Sequence, residues 1–539
     1  MGLERKFNRR YVEKSGQLKE NKITIEKNRY PKNKKNNDVD ITVESPEFQL
    51  LVKLFVPSKL LIHNNKVSRK QLSTYLPPII ESDSFSSLNF ELHIFLSSIV
   101  TSYVTSWYFL KLNTEDFEFV ESVYNVLCAF IRDFSRRVSS VVELTRLLNL
   151  LNRCAFILDD HIERTKLDDG LPRFIRQDLM KREASISSRD ELSTERIIDD
   201  HLQKSHVIFL TDKRTEPGTS DERRTNRLKY LRLVVKNIMS ASFKAEDLDV
   251  SKTPISSTIA MNLVTSVLAD LVLDRLLYKM SSPQFLLQTV IGKIGTKIRA
   301  AMLSRSIPYK NSMYKRLTSS VSSIYLNACA LWTFGIDDKK AELDQVPPIL
   351  FSPVLSLINH ITNLSLRKPI WTGFLSIFRS AISASSLLTE KVERFVAKYL
   401  MNQIRHGDFL QDETQASLVA MIREIVFDNG EVKEETNLNE GENLSELTGL
   451  WYDLLCSKES SSRLPMGVSL WWLRYRNESA QELKRDVEDF LRIFDLANKD
   501  PKGPYSEESK INQLLVIRLF DSVIQSLYPE LVEKIDIMS

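Results

Sequence analysis

The sequence is poor in residues that interrupt helices and in residues that build catalytic or metal sites. It has 14 Gly and 18 Pro in 539 residues, and apolar residues recur every three or four positions over long stretches, which predicts an all-α fold. The four cysteines stand far apart without a CxxC pair, which argues against a disulfide framework or a structural zinc site and favours a reducing compartment. The seven His are scattered, and no GxSxG, P-loop or HExxH motif occurs. We therefore expect a protein that is not an enzyme and that uses no metal or cofactor.

The sequence also lacks an uninterrupted membrane span. Residues 90–110, FELHIFLSSIVTSYVTSWYFL, are long enough to cross a bilayer, but Glu91 and His93 lie among them. The apolar residues follow helical spacing, and most of the Ser and Thr residues fall elsewhere. We predict a soluble helix with one buried face and its hydroxyl groups outward. The N-terminal MGLERKFNRR has no apolar signal core, so secretion is not expected.

Charge is concentrated at the N-terminus. The chain carries a net charge of +4, yet its first 37 residues hold twelve Lys and Arg against four Glu. Such an arm is suited to anionic lipid or to nucleic acid; the alternative is a solvated, disordered tail. The predicted membrane-docking residues are Arg5, Lys6, Arg9, Arg10, Lys32, Lys34 and Lys35.

Two polar stretches divide the helical pattern. Residues 164–227 are charged and Ser-rich, which predicts a disordered insert with at most one short helix. Residues 428–446 predict an acidic loop. Between them, Ser282 followed by Pro283 predicts a capped helix start. Gly292 and Gly295 are interpreted as close-packing or helix-ending positions rather than as a phosphate cradle.

The order of these segments resembles a known family. SWYFLKLNTEDFEFVESVYNVLCAFIRDFSRRV, the Leu-rich helix ending in DDHIE, YLRLVVKNIM and SSPQFLLQTVIGKIG together resemble a PXA domain over about residues 80–300. PVLSLINHITNLSLRKPIWTGFLSIFRSAISA, TQASLVAMIREIVFDNG and INQLLVIRLFDSVIQSLYPELVEKI resemble a nexin C-terminal domain over about residues 350–535. No PX domain is recognisable between them, and this short order is similar to that of the soluble fungal PXA proteins of the nucleus–vacuole junction.

The resemblance implies one composite unit in which a PXA-like and a nexin-C-terminal-like helical domain pack together. It divides the chain into a basic disordered tail at 1–45, a PXA-like domain at 46–300, a helical connector at 301–349 and a nexin-C-terminal-like domain at 350–539. It further implies a non-enzymatic, cytoplasmic role. The protein would be peripheral on endoplasmic reticulum, nuclear envelope or vacuole, at membrane contact sites. The implied partners are a lipid or fatty acid, an anionic membrane surface and a membrane-anchored tether of the sorting-nexin type; nucleic acid is not favoured.

The resemblance also implies an elongated apolar cavity between the two domains. It would hold an acyl chain, because each buried CH2 group contributes about 0.8 kcal/mol. Helices that mix small residues with large apolar ones suit its wall. The candidate lining residues are Trp107, Leu263, Val267, Leu271, Trp371, Phe374, Leu375 and Phe378. The alternative for each of them is an ordinary core position.

A different class of function stays open. A helical scaffold without a lipid cavity would bind protein or RNA through the basic tail and the charged loops. The polar groups Asp159, Asp160 and His161 are interpreted as an ordinary helix terminus, as are His201 and His206, because no second ligand cluster accompanies them.

Overall fold

The structure is a computed structural model. It describes residues 45–57, 67–80, 87–106, 108–109, 117–141, 143–168, 171–183, 194–210, 220–245, 258–303, 349, 351–386, 388–393, 396, 412–427, 440–456, 480–494 and 510–531.

The fold is all-α, as the spacing of apolar residues predicts. In the first half, the helices are α1 (Pro46–Phe55), α2 (Arg69–Tyr75), α3 (Ser87–Val100), α4 (Glu118–Val141), α5 (Leu144–Thr165), α6 (Arg173–Glu183), α7 (Thr194–Ser205), α8 (Ser220–Ala245), α9 (Thr258–Ser266), α10 (Asp274–Ser281) and α11 (Lys293–Leu303). Three π-helical segments, π1 (Thr101–Thr105), π2 (Val267–Leu273) and π3 (Phe285–Gly292), continue or join them. The strands β1 (Leu167–Asp168) and β2 (Leu171–Pro172) form one short antiparallel pair.

The second half continues in the same way. Its helices are α12 (Pro353–Thr362), α13 (Leu364–Arg367), α14 (Pro369–Ser383), α15 (Asp412–Phe427), α16 (Glu440–Cys456), α17 (Ala480–Arg492) and α18 (Lys510–Leu527). Short 3-10 turns lie at Val207–Phe209 and Pro529–Leu531.

Helix α3 lies at the centre of the largest hydrophobic core. It is buried on every side, so the expectation of an outward hydroxyl face is wrong for α3, whereas Ser102 and Ser106 in its continuation are exposed. Ser97 is fully buried and its hydroxyl donates to the Glu47 carbonyl at 2.6 Å. His93 lies between the Tyr124 hydroxyl at 2.6 Å and the Pro77 carbonyl at 2.8 Å. These partners satisfy the polar groups, which allows a helix rich in serine to lie in a core.

The two halves of the chain share one interior. Each of the four hydrophobic clusters in the described structure contains residues from both sides of the connector. In the largest cluster, Ala416, Val426 and Ile517 join α3 and α4. A second cluster joins Ile162 and Leu287 to residues of α16, α17 and α18, including Leu447 and Leu515. The expected composite of two packed helical units is therefore the observed architecture.

The segment at 164–227 is not a disordered insert where the structure describes it. Helices α6 and α7 lie within it, and Phe174, Ile175 and Ile197 pack against Ile511 of α18 in a separate cluster. Their apolar residues are few and widely spaced, so the sequence alone gives a weak helical signal there. The predicted acidic loop also ends earlier than expected, since α16 begins at Glu440.

A buried ion pair crosses the first half. The Arg227 Nε atom donates to Asp274 Oδ1 at 2.7 Å, and both side chains are only 6% exposed. Within the described residues, no helix is long and apolar enough to cross a membrane.

Candidate lipid-binding surface and the interface that supports it

The chain between residues 351 and 388 forms a helical segment that starts and turns at defined side chains. Ser352 accepts a hydrogen bond from the Val354 backbone N–H at 3.2 Å, and Pro353 occupies the first turn of α12. Asn363 ends α12 in the left-handed conformation, with φ 48° and ψ 37°. The Asn359 side chain accepts from the Ser365 backbone N–H at 2.9 Å. These contacts define the turn between α12 and α13, and α14 follows directly after α13.

Helix α12 is anchored on α5 by polar contacts. The Ser352 hydroxyl donates to Asn152, Ser356 Oγ donates to Asp159 at 2.9 Å, and His360 Nδ1 pairs with the other Asp159 oxygen at 2.5 Å. Leu357 packs in the same hydrophobic cluster as Ile162. Helix α12 therefore belongs to the composite, and α14 extends from it.

Large apolar side chains on this segment are exposed to solvent. Of the 22 exposed large hydrophobic residues in the described structure, 12 lie between Phe351 and Leu388. Ile370 is 86% exposed and Ile377 is 70% exposed. Isolated exposed apolar residues are ordinary, whereas a contiguous group of this size is typical of an interaction surface. We call residues 351–388 the apolar segment.

Four of the predicted lining residues lie together on α14. Trp371, Phe374, Leu375 and Phe378 are between 44% and 57% exposed. The Trp371 and Phe374 ring centroids lie 6.1 Å apart, edge to face, and those of Phe374 and Phe378 lie 6.4 Å apart, stacked. A Cβ atom built on Gly373 would meet nothing within 4 Å. These aromatic rings thus form one exposed surface, and Gly373 has open space on another side of the same helix.

The other predicted lining residues lie elsewhere. Val267 is 5% exposed in the main core, and Leu263 and Leu271 are partly buried against that core. Trp107 and the docking candidates Arg5, Lys6, Arg9, Arg10, Lys32, Lys34 and Lys35 lie outside the described residues. The structure therefore divides the predicted wall into an interior group on α9 and π2 and an exposed group on α14.

The polar side chains around residue 160 form hydrogen bonds across the interface between the two halves of the chain. Asp160 accepts from Arg164 Nε at 2.6 Å and from Arg518 of α18 at 2.7 Å. Burial alone would raise the pKa of Asp160, but the hydrogen bonds from both arginines outweigh it, so the pKa lies below its ordinary value. Burial lowers the pKa of His161 to about 4. In the described part of the chain, no group of three or more His, Cys, Asp or Glu side chains is arranged to hold a metal ion.

Asp521 makes a second polar contact between the halves. The Tyr230 hydroxyl donates to Asp521 at 2.5 Å, and His206 Nε2 lies 2.8 Å from its other oxygen. Because His206 Nδ1 accepts from the Ile208 backbone N–H, the ring proton lies on Nε2 and is donated to Asp521. Burial and the Asp521 charge raise the pKa of Tyr230 well above its usual value.

Asp412 caps a helix that begins far away in the sequence. Its Oδ2 atom accepts from the Ser87 backbone N–H and hydroxyl, both at 2.7 Å, and from the Leu88 N–H at 3.3 Å. These N–H groups are in the first turn of α3, where a carboxylate is favourable. The first residue of α15 thus completes the central helix of the other half.

A polar cleft of about 440 Å³ lies among α5, α6 and α7. The His201 ring stacks on Phe174 with their centroids 4.5 Å apart. Burial, followed by the nearby Arg164 charge, lowers the pKa of His201. The other lining groups include Glu163, Asp200 and Lys204. Walls with charges of both signs do not suit an apolar ligand such as an acyl chain.

Comparison with known families identifies part of the chain. Residues 86–293 match the PXA domain family. No curated protein and no solved structure matches the chain. The matched region starts at α3 and ends where π3 gives way to α11, so it lies entirely within the first half of the composite.

Sequence reasoning missed the residues that join the halves. Asp159, Asp160 and His206 resemble ordinary helix-end residues because their partners lie between 201 and 358 positions away. The interpretation of Gly292 and Gly295 as close-packing positions is confirmed, since added Cβ atoms would lie 3.2 and 3.0 Å from Leu447 and Leu450 of α16.

Proposed function

We propose that the protein is a non-enzymatic lipid-binding protein in which the apolar segment holds the acyl chain of a fatty acid or phospholipid. The observation that carries this proposal is the clustering of exposed apolar side chains on α12 and α14. The PXA match over residues 86–293 is compatible with a lipid-related role.

The physical argument is one of unfilled apolar surface. Full burial of a side chain of the size of Leu or Phe is worth about 1.5–3 kcal/mol relative to exposure, and each acyl CH2 adds about 0.8 kcal/mol. Helix α14 exposes Ile370, Trp371, Phe374, Ile377 and Phe378, which follow one face at helical spacing. An acyl chain lying along that face would remove both partners from water.

The segment's charge agrees with an anionic ligand end. Residues 345–389 contain three basic residues and no Asp or Glu, but Arg367 is already paired with Asp486 of α17 at 2.8 Å and its side chain is only 7% exposed. The Arg379 guanidinium lies over the Phe351 ring, 4.8 Å from its centroid, so it borders the exposed aromatic group. A carboxylate or phosphate next to an acyl chain would find a cation there.

The proposed place of action is a contact between organelle membranes, with the protein peripheral on the cytoplasmic side of the endoplasmic reticulum, nuclear envelope or vacuole. Its recruiting partner would be a membrane-anchored tether of the sorting-nexin type. Fluorescence microscopy of the tagged full chain tests this placement, and a uniform distribution with no enrichment at junctions would contradict it.

The ligand itself is tested by organic extraction of the purified full chain and mass spectrometry of the extract, together with titration by a fluorescent fatty acid. We expect an enriched lipid. We also expect binding at least about tenfold weaker in Trp371→Ser/Phe374→Ser, since two aromatic contacts are lost. The matched control is Val207→Ser/Leu233→Ser, which removes exposed apolar side chains outside the segment.

Absence of both an enriched lipid and fatty-acid binding in the parent protein would reject the proposal. Equal loss in the two double variants would also reject it, because it would show a non-specific apolar effect. Either result would favour the helical scaffold, with the apolar segment as a protein-binding face.

A further inference from the structure

A second surface, distinct from the apolar segment, lies on the continuous helix formed by π3 and α11. Its exposed side carries Val290, Lys293, Ile294 and Lys297. Val290 is 38% exposed and Ile294 is 49% exposed. These residues are spaced by three or four positions, so they form one stripe in which aliphatic and basic side chains alternate. We call these four residues the basic stripe.

The opposite side of the same helix fixes the direction in which the stripe points. Leu287 is buried in the cluster with Leu447, and Gly292 and Gly295 lie against α16. A Cβ atom at Gly295 would be 3.0 Å from Leu450 Cδ2, so a larger residue would require the Leu450 side chain to move. This close packing holds the basic stripe outward on a rigid element.

The sequence around the stripe carries charge of one sign. Residues 275–336 contain nine Lys and Arg and no Asp or Glu, although Asp and Glu account for 70 of the 539 residues in the chain. The Lys293 ammonium lies 3.6 Å from the sulfur of Met421, which carries no charge to neutralise it. The structure describes no ion pair for Lys297 or Arg299. In the described structure this helix therefore presents basic side chains without an acidic ion-pair partner next to exposed aliphatic groups, although α16, which packs against it, carries the exposed Glu446.

We propose that the basic stripe docks the protein on an anionic lipid bilayer. Lys293 and Lys297 contact headgroup phosphates, and Val290 and Ile294 enter the boundary between headgroups and acyl chains. An amphipathic helix with basic and aliphatic residues on its exposed side is the arrangement that lies in a membrane interface, and each cation near such a surface contributes about 1 kcal/mol. A nucleic acid is the weaker fit, because the groups between the lysines are aliphatic and supply no stacking surface.

This docking does not rest on the proposed acyl-chain binding, since the two use different surfaces. It also differs from docking by the N-terminal arm. The test therefore uses the full chain with Arg5, Lys6, Arg9, Arg10, Lys32, Lys34 and Lys35 all replaced by Gln, which removes the arm's basic docking candidates and leaves the described helices unchanged.

The experiment is flotation of this protein with phosphatidylcholine vesicles, with and without phosphatidylserine. We expect binding only when phosphatidylserine is present, and weaker binding at higher salt. Adding Lys293→Gln/Lys297→Gln should lower the partition coefficient by about thirtyfold, the loss of two contributions of about 1 kcal/mol. The matched control is Lys229→Gln/Lys236→Gln, two exposed lysines on α8, which should change it by less than about threefold.

Circular dichroism and thermal melting verify that each variant is folded. Selective loss of binding in Lys293→Gln/Lys297→Gln supports the docking face. The proposal is overturned by any one of four results: no binding of the parent to phosphatidylserine vesicles, equal binding to neutral vesicles, equal loss in the two lysine pairs, or RNA binding that depends on Lys293 and Lys297 while vesicle binding does not. Lipid extraction of the same proteins reports separately on the apolar segment.

Discussion

Helices α3 and α14 are both strongly apolar, yet the protein treats them in opposite ways. Helix α3 is enclosed on all sides, and even its Ser97 and His93 are fully buried. Helix α14 exposes Ile370, Phe374 and Ile377, and the only residue that it buries in the described structure is Ile382. Whether an apolar helix is buried therefore depends on which other helices pack against it, and not on its own composition alone. An apolar helix that stays largely exposed in the described structure is a candidate for binding something else.

The largest expected effect comes from emptying a position in the central helix. Ile99 is fully buried in the main core, so Ile99→Ala should lower the free energy of unfolding by about 2–5 kcal/mol through lost burial and a residual cavity. Urea denaturation of the full chain measures it. Ile99→Val is the graded control, with an expected cost of about 0.5–1.5 kcal/mol, and a loss below that range for Ile99→Ala would contradict the enclosed position of α3.

The same helix should give the core a dependence on pH. Burial lowers the pKa of His93 to about 4, with the Pro77 hydrogen bond acting in the opposite sense. Above about pH 6.5, His93 is neutral in both the folded and unfolded states; below it the unfolded state binds the proton first, so stability falls as pH drops towards 4. The loss reaches about 3 kcal/mol.

Urea denaturation at about pH 7 and about pH 4 measures this loss, and His93→Gln should reduce the difference between the two conditions. His161, whose pKa burial also lowers to about 4, contributes in the same direction. An unchanged pH dependence in His93→Gln would show that His93 is not the group responsible.

The contact at Asp521 joins the two halves of the chain, so its removal tests whether the second half is needed to stabilise the first. Asp521→Ala removes the acceptor for Tyr230 and His206, which are both partly buried. The expected cost is about 1–3 kcal/mol, the penalty of leaving such donors without a partner. Thermal melting measures it, and Tyr230→Phe/Asp521→Ala should recover part of the loss. If Asp521→Ala were as stable as the parent, this contact would not contribute to the stability of the composite.

The smallest effect is expected on α14. Ile377 is 70% exposed, so Ile377→Ala should change the free energy of unfolding by less than about 0.5 kcal/mol. Side by side with Ile99→Ala in the same urea experiment, it compares the same substitution in two apolar helices. A cost similar to that of Ile99→Ala would mean that the two helices are equally covered in solution.

The fold class and some local features follow from the sequence because they depend on neighbouring residues. Helical spacing predicts the all-α fold, and Ser282 caps the next helix as expected, accepting from the Phe285 N–H at 3.2 Å. The complete burial of α3 does not follow, because the groups that satisfy its serines and histidine come from distant segments. Helices α6 and α7 escape prediction for a similar reason, since their burial depends on Ile511.

The candidate site is predictable only in part. Trp371, Phe374, Leu375 and Phe378 are recognisable as one apolar face from their spacing, and the structure places them on one exposed surface. Their separation from Leu263, Val267 and Leu271 could not be foreseen, because spacing along the chain carries no information on which helices meet. The basic stripe is similar: its orientation is set by Gly295 lying against Leu450, a contact across 155 positions.

The cap that Asp412 provides to α3 has a consequence for synthesis. A nascent chain that has just made Ser87 must grow by 325 residues before that carboxylate exists, which takes roughly 15 to 65 seconds at typical translation rates. During that interval α3 has neither its cap nor its cover from α15. We therefore expect the nascent chain to need a chaperone. A protein truncated before residue 412 should aggregate.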